Sequence, residues 1–151
     1  RQSIPCYYPG HRLNSGPTGC MGVGLPYAIG AKVAKPETQV VAVHGDGSLG
    51  MNFMDFDTAV RHSLPIVVVV SNNEGWTARV EAVRKPGREL GYTRFDRLAE
   101  ALGGYGEDVR KPGDIKPALE RAIASGKPAI VNVHTDPTAR AISRFVGSRM
   151  E

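Results

Sequence analysis

The sequence predicts an α/β domain, a doubly wound and mainly parallel sheet with helices on both faces, and three observations carry that prediction. Residues 39–43 and 66–70 are apolar and β-branched almost throughout, the pattern of strands buried on both faces of a parallel sheet. Between them Phe53, Phe56, Ala59 and Val60 recur at steps of three and four, with Asp55, Asp57 and Arg61 on the other face, as in an amphipathic helix ending near His62. Strand, helix and strand make a βαβ crossover, and 151 residues are about one domain's worth of chain.

Taken in order, residues 1–14 read as a linker: Arg1 followed by Pro5, Pro9 and Gly10 suggests a cut in a longer chain rather than a natural start. The turn Ser15-Gly16-Pro17-Thr18 leads into a small, apolar stretch, 19–33, that predicts a helix stopped by Pro36. Pro26 falls inside it and should kink it or mark its first turn. The strand at 39–43 is stopped by Gly45-Asp46-Gly47-Ser48. Residues 72–91, holding Gly75, Pro86, Gly87 and Gly91, lack a period and predict a long loop that a ligand would order. Phe95, Leu98, Ala99 and Leu102 then form a helical stripe, 105–109 a weak strand, Ile115, Leu119, Ala122 and Ile123 another helix, and 129–133 the last strand. Residues 135–151 are left as a tail able to act as a lid.

Composition narrows the function. A hydrophobic fraction of 41% with 23% charged residues supports a packed core and argues against disorder. The net charge of +4 favours an anionic ligand and is too small for nucleic-acid binding. Cys6 and Cys20, fourteen residues apart, make neither a metal pair nor a disulfide framework, so a reducing cytoplasm is expected. The longest apolar run is far too short to span a bilayer.

Open α/β sheets bind ligands outside the carboxyl ends of their strands, which directs the search to Asp46 and Asn73, 27 positions apart. A helix of about a dozen residues leads about 18 Å away and a strand of about six returns about 20 Å, so both side chains come to one sheet edge. A carboxylate, an amide oxygen and a loop carbonyl form an oxygen-only set suited to Mg²⁺ or Ca²⁺ and not zinc. Water and phosphate oxygens would complete the coordination, and the amides of Gly47 and Ser48 can bind anions. Singly, Gly-Asp-Gly-Ser is an ordinary turn and Asn72-Asn73 an ordinary loop; together they fit a metal-bridged diphosphate.

Gly45-Asp46-Gly47-Ser48 followed by Asn72-Asn73 resembles the diphosphate-binding signature of thiamine diphosphate enzymes. Upstream, Gly19-Cys20-Met21-Gly22-Val23-Gly24-Leu25-Pro26-Tyr27-Ala28-Ile29-Gly30-Ala31 looks like the aminopyrimidine-holding segment of the acetolactate synthase and 2-hydroxyacyl-CoA lyase superfamily. The resemblance implies a thiamine diphosphate-binding fold over residues 1–151, the C-terminal, diphosphate-binding part of a longer enzyme. It implies Mg²⁺ on Asp46, Asn73 and the Gly75 carbonyl, with the cofactor against Gly19, Cys20, Met21, Gly45, Gly47, Ser48, Asn73 and Gly75. It also implies that the Gly19 carbonyl accepts from the 4′-amino group and that Met21 wedges between the cofactor rings, a gap that a flexible thioether fills well; otherwise Met21 is an ordinary core residue. A Rossmann reading fails because these glycines run Gly-x-x-Gly-x-Gly and follow no strand, and no Gly-Lys-Ser or Gly-Lys-Thr marks a P-loop.

Such enzymes also place a glutamate against the pyrimidine N1′ from a separate pyrimidine-binding domain, and no acid of this chain is placed for that role. The resemblance therefore implies a half-site, completed by a pyrimidine-binding domain of the same or another chain, in a homodimer or homotetramer. Glu74-Gly75-Trp76-Thr77-Ala78 and Lys85-Pro86-Gly87-Arg88-Glu89-Leu90-Gly91-Tyr92-Thr93-Arg94 look most like 2-hydroxyacyl-CoA lyases, relatives of oxalyl-CoA decarboxylase. That implies cleavage of a 2-hydroxyacyl-CoA to a ketone or aldehyde and formyl-CoA, or the reverse. Arg79 stands where pyruvate decarboxylase relatives carry an acid, which argues against that mechanism. An acetolactate synthase-like or oxalyl-CoA decarboxylase-like 2-oxo acid enzyme stays open, as does a non-catalytic binding or assembly module.

Several residues keep two readings. Trp76, grouped with Met21 as a candidate for the reaction, is a wall of the substrate pocket or simple packing. Arg84, Lys85 and Arg88 reach CoA phosphates or form a solvated charge run, and Arg140, Arg144 and Arg149 close over CoA or stay solvated. His11, His44, His62 and His134 lack metal-ligand spacing; only His11 and His44 fall near the site, and satisfied structural histidines are the simpler reading.

Overall fold

The computed structural model describes residues 4–77 and 86–139. Four strands, β1 (Val40–Gly45), β2 (Ile66–Asn72), β3 (Tyr105–Val109) and β4 (Ala129–His134), pair in the order β1-β2-β4-β3, every pair parallel. Their helical neighbours are α1 (Gly24–Ala34), α2 (Asp46–Met51), α3 (Asp55–Arg61), α4 (Phe95–Ala101) and α5 (Ile115–Ala124).

Side chains of a strand alternate between faces, so β2 divides its residues between two cores. Ile66, Val68 and Val70 join Leu25, Phe56 and Phe95 in one, and Val67 joins Ala118, Ala122 and Val131 in the other. The chain crosses the sheet in one direction from β1 to β2 to β3 and then turns back to β4. Right-handed crossovers running in opposite directions lie on opposite faces. Accordingly α3 and α4 pack into the first core and α5 into the second, the doubly wound arrangement that the sequence predicts.

Four expectations need correction. The first helix starts at Gly24 and not at 19, because Gly19 and Gly22 have φ of +67° and +83° and left-handed backbone cannot continue a right-handed helix. Pro26 then sits third in α1, so of its two expected roles it marks the first turn, where its missing N–H has no intrahelical acceptor to lose, and it does not kink the helix. The strand at 39–43 is not buried on both faces: Ala42 and His44 are buried, but Val41 and Val43 are 50% and 60% exposed. β1 closes the sheet at an edge and packs against α1 on one side.

The other two corrections concern helices. Gly45-Asp46-Gly47-Ser48 does not simply stop the strand; β1 runs through Gly45, and Asp46 begins α2, anchored by the wholly buried Leu49. The single helix expected across 53–62 is consequently shorter, α3 at Asp55–Arg61, after a break at 52–54. Glycine and aspartate argue locally for a turn, and burial of Leu49 overrides them.

Before α4, Arg94 donates to both carboxylate oxygens of Asp96, at 2.9 and 2.6 Å. Burial alone would push the Asp96 carboxyl up, but the Arg94 bonds and charge, with the amides of Asp96 and Arg97, outweigh it and hold the group below its usual 3.8. A carboxyl lowered on folding stabilises the fold above its unfolded pKa, and that contribution is lost as the pH falls through the folded value. Asp96→Asn should therefore lower stability at neutral pH, with the deficit shrinking as acid is added below pH 3.8. Denaturant melts at graded pH check this; a deficit that stays constant would refute the pairing.

Among the described residues no helix is long and apolar enough to cross a membrane. Cys6 and Cys20 are exposed and free.

Candidate functional site

β1 and β2 run with Gly45 opposite Ser71, so Asp46 and Asn73 leave the sheet at neighbouring strand ends. β4 brings a third end, for Asn72 lies opposite His134. There the Thr135 N–H donates to the Asn72 carbonyl at 2.9 Å, and the Ser71 and Thr135 hydroxyls stand 3.3 Å apart. These ends bound a cavity of about 570 Å³. Gly45, Asp46, Gly47 and Ser48 line it from the end of β1, Asn73, Gly75 and Trp76 from beyond β2, and Met21 from the glycine-rich segment before α1. Cys20 lines an adjoining hollow shared with Ser48, and Gly19 ends the 3-10 turn Gly16–Thr18 outside both.

Asp46 is the electrostatic anomaly of this cavity. It is 3% exposed, and neither of its carboxylate oxygens meets a hydrogen-bond partner of good geometry. Burial pushes its carboxyl up, and Glu74 adds to that, while the nearby amides of Gly47, Gly75 and Asp46 itself only partly offset it. A buried carboxylate without a partner is costly unless a cation compensates it. Among the described residues no three His, Cys, Asp or Glu side chains converge, so a cation at Asp46 would draw its other ligands from amide, carbonyl, water or phosphate oxygens. That donor set fits Mg²⁺ bridging to a diphosphate.

The glycine-rich segment rests directly on the end of β1. The Gly22 N–H donates to Ser48 Oγ at 3.1 Å, and Ser48 Oγ is 3.2 Å from His44 Nδ1. His44 departs from the satisfied structural histidine expected of it: its buried Nε2 has no partner, and burial pushes its pKa down. A Cβ on Gly24 would fall 2.4 Å from that Nε2, so only glycine lets α1 approach β1 this closely. Gly24→Ala should cost about 1–3 kcal/mol by urea denaturation, since the ring has buried surroundings to move against. A change below about 0.5 kcal/mol would show that the ring yields freely.

On the far side, Trp76 packs its ring over Gly47, where a Cβ would fall 2.6 Å from the indole, so Trp76 is both packing and a wall of the cavity. Met21 is 56% exposed and lines the cavity, which removes the ordinary core reading for it. The Asn73 side chain donates to the Thr77 carbonyl at 3.3 Å. Arg88 turns inward to the same Thr77 carbonyl, with its Nε buried, so it is not part of a solvated run. His11 packs against Tyr8 with the two rings tilted, and His62 caps α3 at the surface. Arg79, Arg84, Lys85, Arg140, Arg144 and Arg149, and with them residues 78–85 of the loop and most of the tail expected as a lid, lie outside the described residues.

Sequence reasoning missed the polar support under this edge. His134 Nε2 lies 3.1 Å from Glu74 Oε1, and Asn72 and Asn132 are wholly buried and bonded to each other at 3.1 Å. An asparagine within the apolar run 129–133 was the available signal, because a buried amide needs partners.

Comparison with known proteins agrees with this geometry. The family model described as "Thiamine pyrophosphate enzyme, C-terminal TPP binding domain" matches residues 1–133. An acetolactate synthase large subunit of Mycobacterium tuberculosis is 47% identical over 146 residues, 89% of this chain and 26% of that protein. A 2-hydroxyacyl-CoA lyase of Arabidopsis thaliana is 40% identical, again over 89% of this chain and 26% of the relative. A thiamine diphosphate-dependent 4-hydroxybenzoylformate decarboxylase of Rhodococcus jostii RHA1 superposes with a TM-score of 0.71 at 29% identity, covering 79% of this chain and 24% of that one. The chain thus spans about a quarter of the length of the curated relatives it matches. With the sheet edge, the glycine-rich segment and the family match in agreement, the chain belongs to the thiamine pyrophosphate enzymes, as a C-terminal TPP-binding domain.

Proposed function

We propose that this cavity binds Mg²⁺ and the diphosphate of thiamine diphosphate, and that the whole protein cleaves or forms a carbon–carbon bond in a 2-hydroxyacyl-CoA. The observation that carries the binding half is the buried, unpartnered carboxylate of Asp46 at a sheet edge shared with Asn73 and Gly75. Asp46, Asn73 and the Gly75 carbonyl would hold the cation, the amides of Gly47 and Ser48 the diphosphate, and Gly19, Cys20 and Met21 one side of the pyrimidine. When bound, the cofactor supplies a nucleophilic carbon for attack on a carbonyl. Trp76 would exclude water from one wall of the cavity, and Met21 would hold the cofactor from the glycine-rich side. The exposed free cysteines fit a reducing, cytoplasmic setting.

Identity to the plant lyase supports the 2-hydroxyacyl-CoA reading, with a ketone or aldehyde and formyl-CoA as products. The higher identity to an acetolactate synthase favours a second reading, condensation of 2-oxo acids. Feeding the full-length protein a 2-hydroxyacyl-CoA or pyruvate, and assaying formyl-CoA against acetolactate, separates the two.

Completion of the site gives a further expected outcome. No acid of this chain is assigned to the pyrimidine N1′, so the 151-residue chain alone should exchange the cofactor C2 proton negligibly. Adding a pyrimidine-binding domain should restore exchange in a homodimer or homotetramer. Rapid exchange by the monomeric chain alone would sink the half-site, and tight cofactor binding with no exchange in the completed protein would identify a non-catalytic module.

A further inference from the structure

Asn72 and Asn132 are wholly buried among valines and isoleucines, where an amide is tolerated only if its hydrogen-bonding groups are used. Here they are used. Asn72 Nδ2 donates to the Thr93 carbonyl at 3.0 Å and to Asn132 Oδ1 at 3.1 Å. Asn132 Nδ2 donates to the same Thr93 carbonyl at 3.1 Å and to the Tyr92 hydroxyl at 3.4 Å. That hydroxyl donates in turn to Asp108, and burial, with that carboxylate, raises the Tyr92 pKa. Each amide therefore has one assignment of oxygen and nitrogen that satisfies it.

One acceptor remains, Asn72 Oδ1, and it takes the Glu74 N–H at 3.3 Å. Glu74 has φ +61°, left-handed backbone that a side-chain-bearing residue holds only when its surroundings impose it. The Leu90 N–H binds the Glu74 carbonyl at 2.9 Å from the other side. Glu74 lies between Asn73 and Gly75, so its backbone sets the relative placement of two residues that both line the cavity beside Asp46.

We infer that Asn132, at the centre of β4 and outside the cavity, is a positioning residue: through Asn72 it fixes the turn at Glu74 that aims the Asn73 and Gly75 oxygens at the cation. The inference rests on the cation site proposed above. Asn132 pairs in register with Val70, and its neighbours Val131 and Val133 are buried. An apolar residue would suit that place better by burial alone, so the amide is present for its bonds. Groups that orient metal ligands from behind act through geometry and not through contact with the reactants.

The test compares Asn132→Val with Asn132→Thr, two side chains of one shape that differ by a hydroxyl able to accept from Asn72. Asn132→Val should raise the Mg²⁺ concentration for half-maximal thiamine diphosphate binding about tenfold, and Asn132→Thr should come within about threefold of wild type. In the ligand-free chain the Glu74 amide should exchange hydrogen about tenfold faster in the valine variant, with the β2 and β4 amides keeping their protection. Equal behaviour of the two variants would assign Asn132 to packing and overturn the inference while leaving the cation site standing. Wild-type cofactor binding that ignores Mg²⁺ would overturn the cation site, and this inference with it.

Discussion

Asp46→Ala is expected to abolish Mg²⁺-dependent binding of thiamine diphosphate, weakening it about a hundredfold or more, while the metal-free chain melts at a higher temperature than wild type. The two effects share one cause. Its carboxylate is buried without a partner, an arrangement that favours a cation and destabilises the fold when none is bound. The sign follows from the direction of the shift: a carboxyl raised on folding binds its proton more tightly in the folded state. The penalty is absent below its usual 3.8 and fully present above the raised value, so the gain from Asp46→Ala appears at neutral pH and disappears in acid. Calorimetric titration of Mg²⁺ and cofactor, paired with metal-free melts, checks both halves. Unchanged affinity in a folded variant would reject Asp46 as a ligand, and a lower metal-free melting temperature would mean that the carboxylate has a structural partner.

Phe56→Ala should produce the largest loss of stability, about 3–5 kcal/mol in urea denaturation, with only a small effect on cofactor affinity in protein that remains folded. Phe56 is fully buried on the inner face of α3, stacked on Phe53 at 6.1 Å between ring centroids. Gly104 approaches its ring so closely that a Cβ there would fall 2.7 Å away. Removing the ring empties the junction of α3, the sheet and the start of β3, and the close backbone of Gly104 limits collapse into the space. A loss under about 1 kcal/mol would mean that the core closes over the gap.

Most of the fold was legible because periodicity reports directly on burial. The valine and isoleucine run of β2 and the three-and-four spacing of Phe56 and Ala59 required two cores and a helix, and both are present. Where prediction missed, the deciding contacts are distant in sequence. Nothing local tells Val41 and Val43 that β1 is an edge strand, and nothing in Gly-Asp-Gly-Ser announces that Leu49 will anchor a helix there.

The candidate site divides along the same line. Asp46 and Asn73 could be named from spacing, because a strand–helix–strand unit returns the chain to one sheet edge by arithmetic alone, whereas Gly75 and the glycine-rich segment before α1 were named from the family resemblance. The sequence by itself thus determined the strand–helix alternation and the family resemblance that the comparisons bear out, and it proposed the donor set. Only the tertiary structure decided that Asp46 is buried without a partner, that Trp76 lies over Gly47, and that Asn132 stands behind the Glu74 turn. Burial and hydrogen bonding are properties of what surrounds a group, and here those surroundings come from segments as much as 64 residues apart in the chain.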